Sequence, residues 1–318
     1  MRLDMMNLVI YKGDRITMKN FMNILLGFCM ALADSVPGVS GGTIAFIMGL
    51  YDEFISSLYY VVKGDKAQKK SGWLFLTQLL IGWVVGFGAS VLVLGALFDR
   101  HIYGLCSLFI GLSVCSLPVI IRQEKDSFAG HYLNLIYTFV GIVLVFGVTY
   151  FRAAGIYAVN GNVDITKLNP LLIVYIVLAA AVAMSAMVLP GLSGASILLI
   201  LGLYIPVITG VRELLHGRVA YLPALLLYVC GVVLGVAVSI KLVKAALEKH
   251  RSQLMYLIVG LILGSVYSIV QGPTTLDIPQ PAMGPGDFNL IYFVCGGVII
   301  WGLEAVKHIV SKSTEALR

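Results

Sequence analysis

Two short segments of the chain carry the residue types from which an anion site is built. Residues 34–43 read DSVPGVSGGT and residues 187–196 read MVLPGLSGAS. Pro37 lacks a backbone donor and disfavours helix at Val36. Gly38, Gly41 and Gly42 permit unusual backbone angles and close approach, and Ser40 and Thr43 suit helix N-caps. One helix is predicted to end and another to begin within this turn. The new helix start presents unpaired N–H groups and a positive dipole end, an arrangement that suits phosphate. Pro190, Gly191, Ser193, Gly194 and Ser196 repeat the device. A turn of this kind also serves as a simple packing kink, but two matched copies favour a ligand.

Asp34 immediately precedes the first turn, and Met187 occupies the corresponding place in the second. A carboxylate inside an apolar segment is a functional candidate, as a proton carrier or a partner for a cation such as sodium. Asp52, Glu53, Arg212 and Glu213 fall near the ends of the two hairpins, where interfacial solvation accounts for them. Glu304 is expected to reach the membrane surface, and all five histidines fall at segment ends. Residues 38–42 also fit G-x-S-x-G, but that nucleophile elbow needs a preceding strand, and no segment reads as one. The shorter G-x-S-G turn resembles that of intramembrane serine proteases. No histidine lies deep in a span to activate Ser40 or Ser193, so a hydrolase is the weaker reading.

The elements that position these turns are set by composition. The chain has 318 residues, 59% hydrophobic and 12% charged, against about 25% charged in soluble domains. Lipid must cover much of its surface. Spans are expected at 73–98, 102–121, 132–151, 220–240, 254–271 and 288–306. The segments 20–36 with 43–62, and 170–189 with 196–211, are each interrupted by one of the turns. The net charge of +6 comes from basic residues in short loops, without the aromatic-laced groove that nucleic acid requires. The five cysteines lie in apolar runs with no CxxC pair, which points to packing and to neither disulfides nor a metal site. No cofactor is indicated.

An internal repeat organises the whole chain. Residues 37–51 and 190–204 are identical at nine of fifteen positions, 153 residues apart. Gly82 and Gly86 return as Gly231 and Gly235, His101 as His250 and Gly111 as Gly260, all 149 residues on. NLIY occurs at 134–137 and again at 289–292. The GxxxG pairs read as helix-packing faces. If each broken pair enters and leaves on one side, each unit has three spans and the second is inverted. That arrangement puts 17 basic residues inside and 5 outside, whereas one extra span per pair gives 14 and 8. The positive-inside rule favours the former.

The expectation is therefore an all-α integral membrane protein of two inverted-topology repeats, each a re-entrant broken-helix hairpin plus three transmembrane helices. A cytoplasmic leader (1–19) precedes repeat 1 (20–151), an outer linker (152–169), repeat 2 (170–308) and a cytoplasmic tail (309–318). Residues 272–287 are rich in Pro and Gly, lack Lys and Arg, and read as an outer loop. Inverted repeats place their substrates at discontinuous helices near the bilayer midplane.

The segments DSVPGVSGGTIAFIMGLYDEFI and VLPGLSGASILLILGLY resemble the DUF368 membrane family over about residues 20–308. That resemblance implies a polyprenyl-phosphate transporter of the bacterial cytoplasmic membrane. It would return undecaprenyl phosphate for cell-wall and surface-polysaccharide synthesis. The substrate comes from the resemblance; the residues by themselves leave another small anion open. With that substrate, Ser40, Gly41, Gly42, Thr43, Ser193, Gly194 and Ser196 are expected to cradle the phosphate, with Asp34 as coupling residue.

Overall fold

A computed structural model describes residues 19–34, 40–153, 164–191, 194–275 and 280–315. Every regular element among them is helical. Helix α1 spans residues 19–34. It is followed by α2 (Gly41–Ile47), α3 (Tyr51–Lys63), α4 (Lys66–Gln123), the single turn α5 (Lys125–Phe128) and α6 (Leu135–Ala153). The second half comprises α7 (Pro170–Val188), α8 (Gly194–Ile200), α9 (Tyr204–Leu215), α10 (Leu222–Lys249), α11 (Arg251–Val270) and α12 (Leu290–Glu315). Six helices among the described residues are long and apolar enough to cross a membrane: Lys66–Ser90, His101–Gln123, Tyr132–Phe151, Pro170–Val188, Val219–Lys249 and Arg251–Val270. Leu290–Ala305 is apolar but shorter.

Local chemistry explains several boundaries. Asn169 caps α7, its Oδ1 accepting from Leu172 N at 2.8 Å, and Pro170 takes the first helical position, where no donor is needed. Within α4, His101 has φ −139° and ψ 38°, so the helix comprises two limbs. His250 repeats this conformation between α10 and α11, with φ −134° and ψ 38°. The repeat thus extends to this backbone break, which falls where the sequence separates the expected spans 73–98 and 102–121, and 220–240 and 254–271. After α11, Gln280 N donates to Pro273 O and Met283 N to Val270 O.

The chain forms two compact units. In the first, comprising α1, Thr43–Gln123 and α12, glycines bring helix backbones together. A Cβ at Gly82 would sit 1.9 Å from Ile24 O, and one at Gly86 would sit 2.5 Å from Phe28 O, so α1 lies directly on the first limb of α4. On the second limb, a Cβ added at Gly111 would overlap Phe293 O of α12, and one added at Gly296 of α12 would overlap Leu108 O.

The second unit comprises Ser40–Gly42 and Glu124–Asp287, and it repeats these contacts. Gly231 and Gly235 of α10 lie against Val177 O and Ala181 O of α7, each 2.4 Å from an added Cβ. A Cβ added at Gly260 of α11 would overlap Thr138 O of α6, and one added at Gly141 of α6 would lie 2.7 Å from Leu257 O. Val177 and Ala181 stand 153 residues after Ile24 and Phe28, and Leu257 stands 149 after Leu108. The duplicated sequence therefore makes duplicated contacts. The last helix of each repeat packs on the middle helix of the other, so the compact units and the sequence repeats do not coincide.

Polar contacts sit at the ends of these glycine seams. Asn134 donates to Ser252 Oγ at 2.8 Å, Thr138 Oγ1 to Tyr256 O at 2.9 Å, and Asn289 N to Ser107 Oγ at 2.9 Å. Arg251 holds Glu124 through two bonds of 2.8 and 2.6 Å, the bidentate geometry that suits a guanidinium. Away from the seams large apolar side chains face outward: Val84, Val85, Phe139, Leu226, Val233 and Val298 are all exposed. Such an outer face needs hydrocarbon. Glu304 departs from the expectation of a surface-reaching side chain, for it is buried at 5% exposure on α12.

Gly111→Leu and Gly260→Leu should each destabilise the protein by about 1–3 kcal/mol or more, because backbone cannot move aside for a side chain. Gly147→Ala, whose Cβ would meet nothing within 4 Å, should be neutral. Thermal unfolding of the detergent-purified variants measures the difference.

Candidate functional site

The first turn is described from Ser40 onward; Pro37 and Gly38 lie outside the described residues. Ser40 is buried at 3% exposure, and its Oγ accepts from Gly42 N at 3.2 Å. This is the local capping bond expected of a serine ahead of a helix. A hydroxyl that accepts still keeps its own proton to donate. Gly41 and Gly42 open α2, and Thr43 is buried on its first turn at 6% exposure.

The second turn follows α7. Pro190 and Gly191 are buried, and Gly191 has φ +86°. A Cβ there would come within 2.7 Å of Leu261 C on α11, so glycine is required both by angle and by space. Gly194 opens α8 with its Cα close to α7: an added Cβ would lie 2.8 Å from Ala183 O. Ser196 is on α8, and Ser193 lies outside the described residues.

The two turns meet. A Cβ on Gly42 would lie 3.5 Å from both Pro190 Cα and Pro190 N, and 3.4 Å from Ser40 Oγ. Within the second unit, the start of α2 therefore abuts the residue that breaks the chain after α7. Segments 148 residues apart in sequence are juxtaposed backbone to backbone. Asp34, at the end of α1, is part-buried in the first unit. Trp83 directs Nε1–H toward its Oδ2 at 3.5 Å, and the Trp83 indole stacks on Phe87 with centroids 5.1 Å apart.

The segments 43–62 and 196–211, expected as single half-helices, each contain a second break. Between α2 and α3 the chain bends by 118°. Gly49 takes φ +68°, Gly49 N bonds to Phe46 O, and Leu50 N bonds to Ala45 O at 2.9 Å. Gly202 takes φ +66°, and Leu203 N bonds to Leu198 O at 2.9 Å. Both are helix ends closed by a left-handed glycine. The sequence signal was present in MGLY and LGLY, but a glycine within an apolar run reads equally well as helix. Glu53 pairs with Lys19 at 2.9 Å and Glu213 with Arg218 at 2.7 Å, both near helix ends. Among the described residues, no group of His, Cys, Asp and Glu has the arrangement of a metal site.

Duplicated glycine seams, an apolar exterior and paired chain breaks define a polytopic, all-helical membrane protein. The chain belongs to the undecaprenyl phosphate translocase-like (VCA0040-like) family, which matches residues 30–286. A polyprenyl-phosphate transporter of Vibrio cholerae serotype O1 is 30% identical over 271 residues, covering 82% of this chain and 81% of the relative. A polyprenyl-phosphate transporter of Staphylococcus aureus is 32% identical over 260 residues, covering 80% and 88%. Both are named as transporters and neither as an enzyme. No solved structure matches the chain.

Gly49→Ala and Gly202→Ala should each lower stability by about 1–2 kcal/mol, the cost of placing a Cβ in the left-handed region. Asparagine, which tolerates that region better, should recover part of the loss in the same thermal-unfolding assay.

Proposed function

We propose that this chain carries a polyprenyl phosphate, of the undecaprenyl phosphate class, across the bacterial cytoplasmic membrane. The cargo would be carrier lipid returned for cell-envelope synthesis. The observation that carries this reading is the contact of Gly42 with Pro190, which juxtaposes two matched chain breaks in a membrane protein. The names of the two relatives supply the substrate class.

The physical problem is the headgroup. Removing water from a phosphate without replacing its hydrogen bonds is prohibitive in hydrocarbon, whereas the isoprenoid tail is already suited to lipid. A carrier therefore needs to shelter only the head. In this reading Ser40, Gly41, Gly42, Thr43, Ser193, Gly194 and Ser196 supply N–H and O–H donors, with Pro37, Gly38, Pro190 and Gly191 holding the turns open. Neutral donors allow release after passage, which a fixed cation would hinder. The repeats are inverted about the membrane plane, the broken pairs are re-entrant and both termini are cytoplasmic, as the distribution of basic residues favours. Asp34 couples passage to a proton or sodium gradient, with Trp83 orienting its carboxyl.

Proteoliposomes loaded with a labelled polyprenyl phosphate test the proposal. Gly42→Ala should retain most transport, since a Cβ fits at ordinary contact distance. Gly42→Leu should lose at least about tenfold while still inserting and purifying, equivalent to about 1.4 kcal/mol of lost stabilisation at the site. Undiminished flipping by Gly42→Leu would remove the turn from the pathway. Asp34→Asn should make transport insensitive to imposed proton and sodium gradients. A retained gradient response would place coupling elsewhere.

A further inference from the structure

The two short helices that open at the Pro-Gly turns are alike at their far ends as well. At the end of α2, Met48 N, Gly49 N and Leu50 N bond to the carbonyls of Ile44, Phe46 and Ala45. The next carbonyl, Ile47 O, accepts from Gln123 Nε2 of α4 at 3.2 Å. Ile47 is buried at 1% exposure, so little water reaches that carbonyl in place of the side chain. At the end of α8, Leu201 N and Leu203 N bond to Ile197 O and Leu198 O. The hydroxyl of Tyr175 on α7 then donates to Leu201 O. Each bond lies inside one compact unit, Gln123 with Ile47 in the first and Tyr175 with Leu201 in the second.

A single side chain on a late carbonyl of a helix is ordinary capping. Here, however, the sequence repeat does not supply the donors. At the repeat offsets Gln123 corresponds to Gly272 and Tyr175 to Met22, and neither glycine nor methionine has a side-chain N–H or O–H. The two halves therefore reach the same kind of bond with unrelated residues from different helices, at carbonyls one place apart in the repeat register. What they share is the bond itself, which marks it as a requirement of both. The reason is mechanical. Seven residues make a rod about 10 Å long, too short to be stable alone. Its tilt is set where its ends are held. In the transport reading the opening turns carry the donors of the cradle, and a shift at either far end reaches them along the rod.

We propose that Gln123 and Tyr175 are positioning residues of the transport site. They pin the far ends of α2 and α8, so that the turns at the near ends keep the spacing a phosphate headgroup needs. The inference rests on the transport reading and adds to it the residues that hold the site in register.

The test measures initial rates in proteoliposomes over a range of labelled polyprenyl phosphate, for the wild type, Gln123→Met and Tyr175→Phe. Both variants keep the bulk of the side chain and remove only the donor. The half-saturating concentration should rise about fivefold in each, the scale of one neutral hydrogen bond, with the maximal rate within about twofold of the wild type. A bond that served stability alone would lower the maximal rate with the folded fraction and leave half-saturation unmoved. Tyr204→Phe removes a hydroxyl from the same apolar cluster as Tyr175 and should match the wild type. In a wild type that saturates, an unchanged half-saturating concentration in either variant would overturn the role of that residue. An equal rise in Tyr204→Phe would overturn the role of Tyr175. A wild type that moves no labelled lipid would instead overturn the transport reading, and the pins with it.

Discussion

Hydrocarbon offers the backbone no hydrogen bonds, and lipid gives helices little hydrophobic reason to associate. What binds this chain to itself is close approach of backbones at glycine. Gly82, Gly86, Gly111, Gly141, Gly231, Gly235, Gly260 and Gly296 each stand against a carbonyl of a neighbouring helix, at distances that no side chain could share. These contacts maximise dispersion between regular helices and allow weak Cα–H···O interactions. The spans can then hold the irregular Pro-Gly segments in place. Without that framework, an interrupted helix would leave its amides unsatisfied at great cost.

The same framework explains why the two breaks are affordable. Each is followed by only seven residues of helix before a left-handed glycine turns the chain again. The short helices α2 and α8 therefore cannot be stabilised by their own length. They depend on what surrounds them: α8 on Ala183 of α7, and the start of α2 on Pro190. Ser40 Oγ is already engaged locally by Gly42 N. A phosphate would compete for bonds already made or take the proton that Ser40 still has to give.

Much of this was legible in the residues. Apolar runs located the spans, because hydrocarbon thickness imposes their length, and the GxxxG pairs marked faces that do lie against helix backbone. The Pro-Gly turns were visible because proline and glycine act locally. Partner choice was less legible. Gly111 and Gly260 show that a narrow face exists, but not that it meets the third helix of the other repeat. The 118° bend before Tyr51 was hidden within a continuous apolar run. Glu304 was read from its place near a segment end, whereas its burial depends on neighbours from distant sequence. Trp83, which points at Asp34, carried no signal, since an aromatic in a span has many uses.

The exchange of third helices also has a consequence for biosynthesis. The second limb of α4 displays its Gly111 groove as soon as it is inserted, yet the helix that fills it, α12, begins at Leu290. More than half the chain must be translated before that groove is covered. Gly260, by contrast, finds Thr138 already in the bilayer when α11 arrives. The first unit to be started is therefore the last to be finished, and a nascent chain stalled before residue 290 would leave a bare glycine face in the lipid, a natural surface for chaperones or quality-control proteases to read.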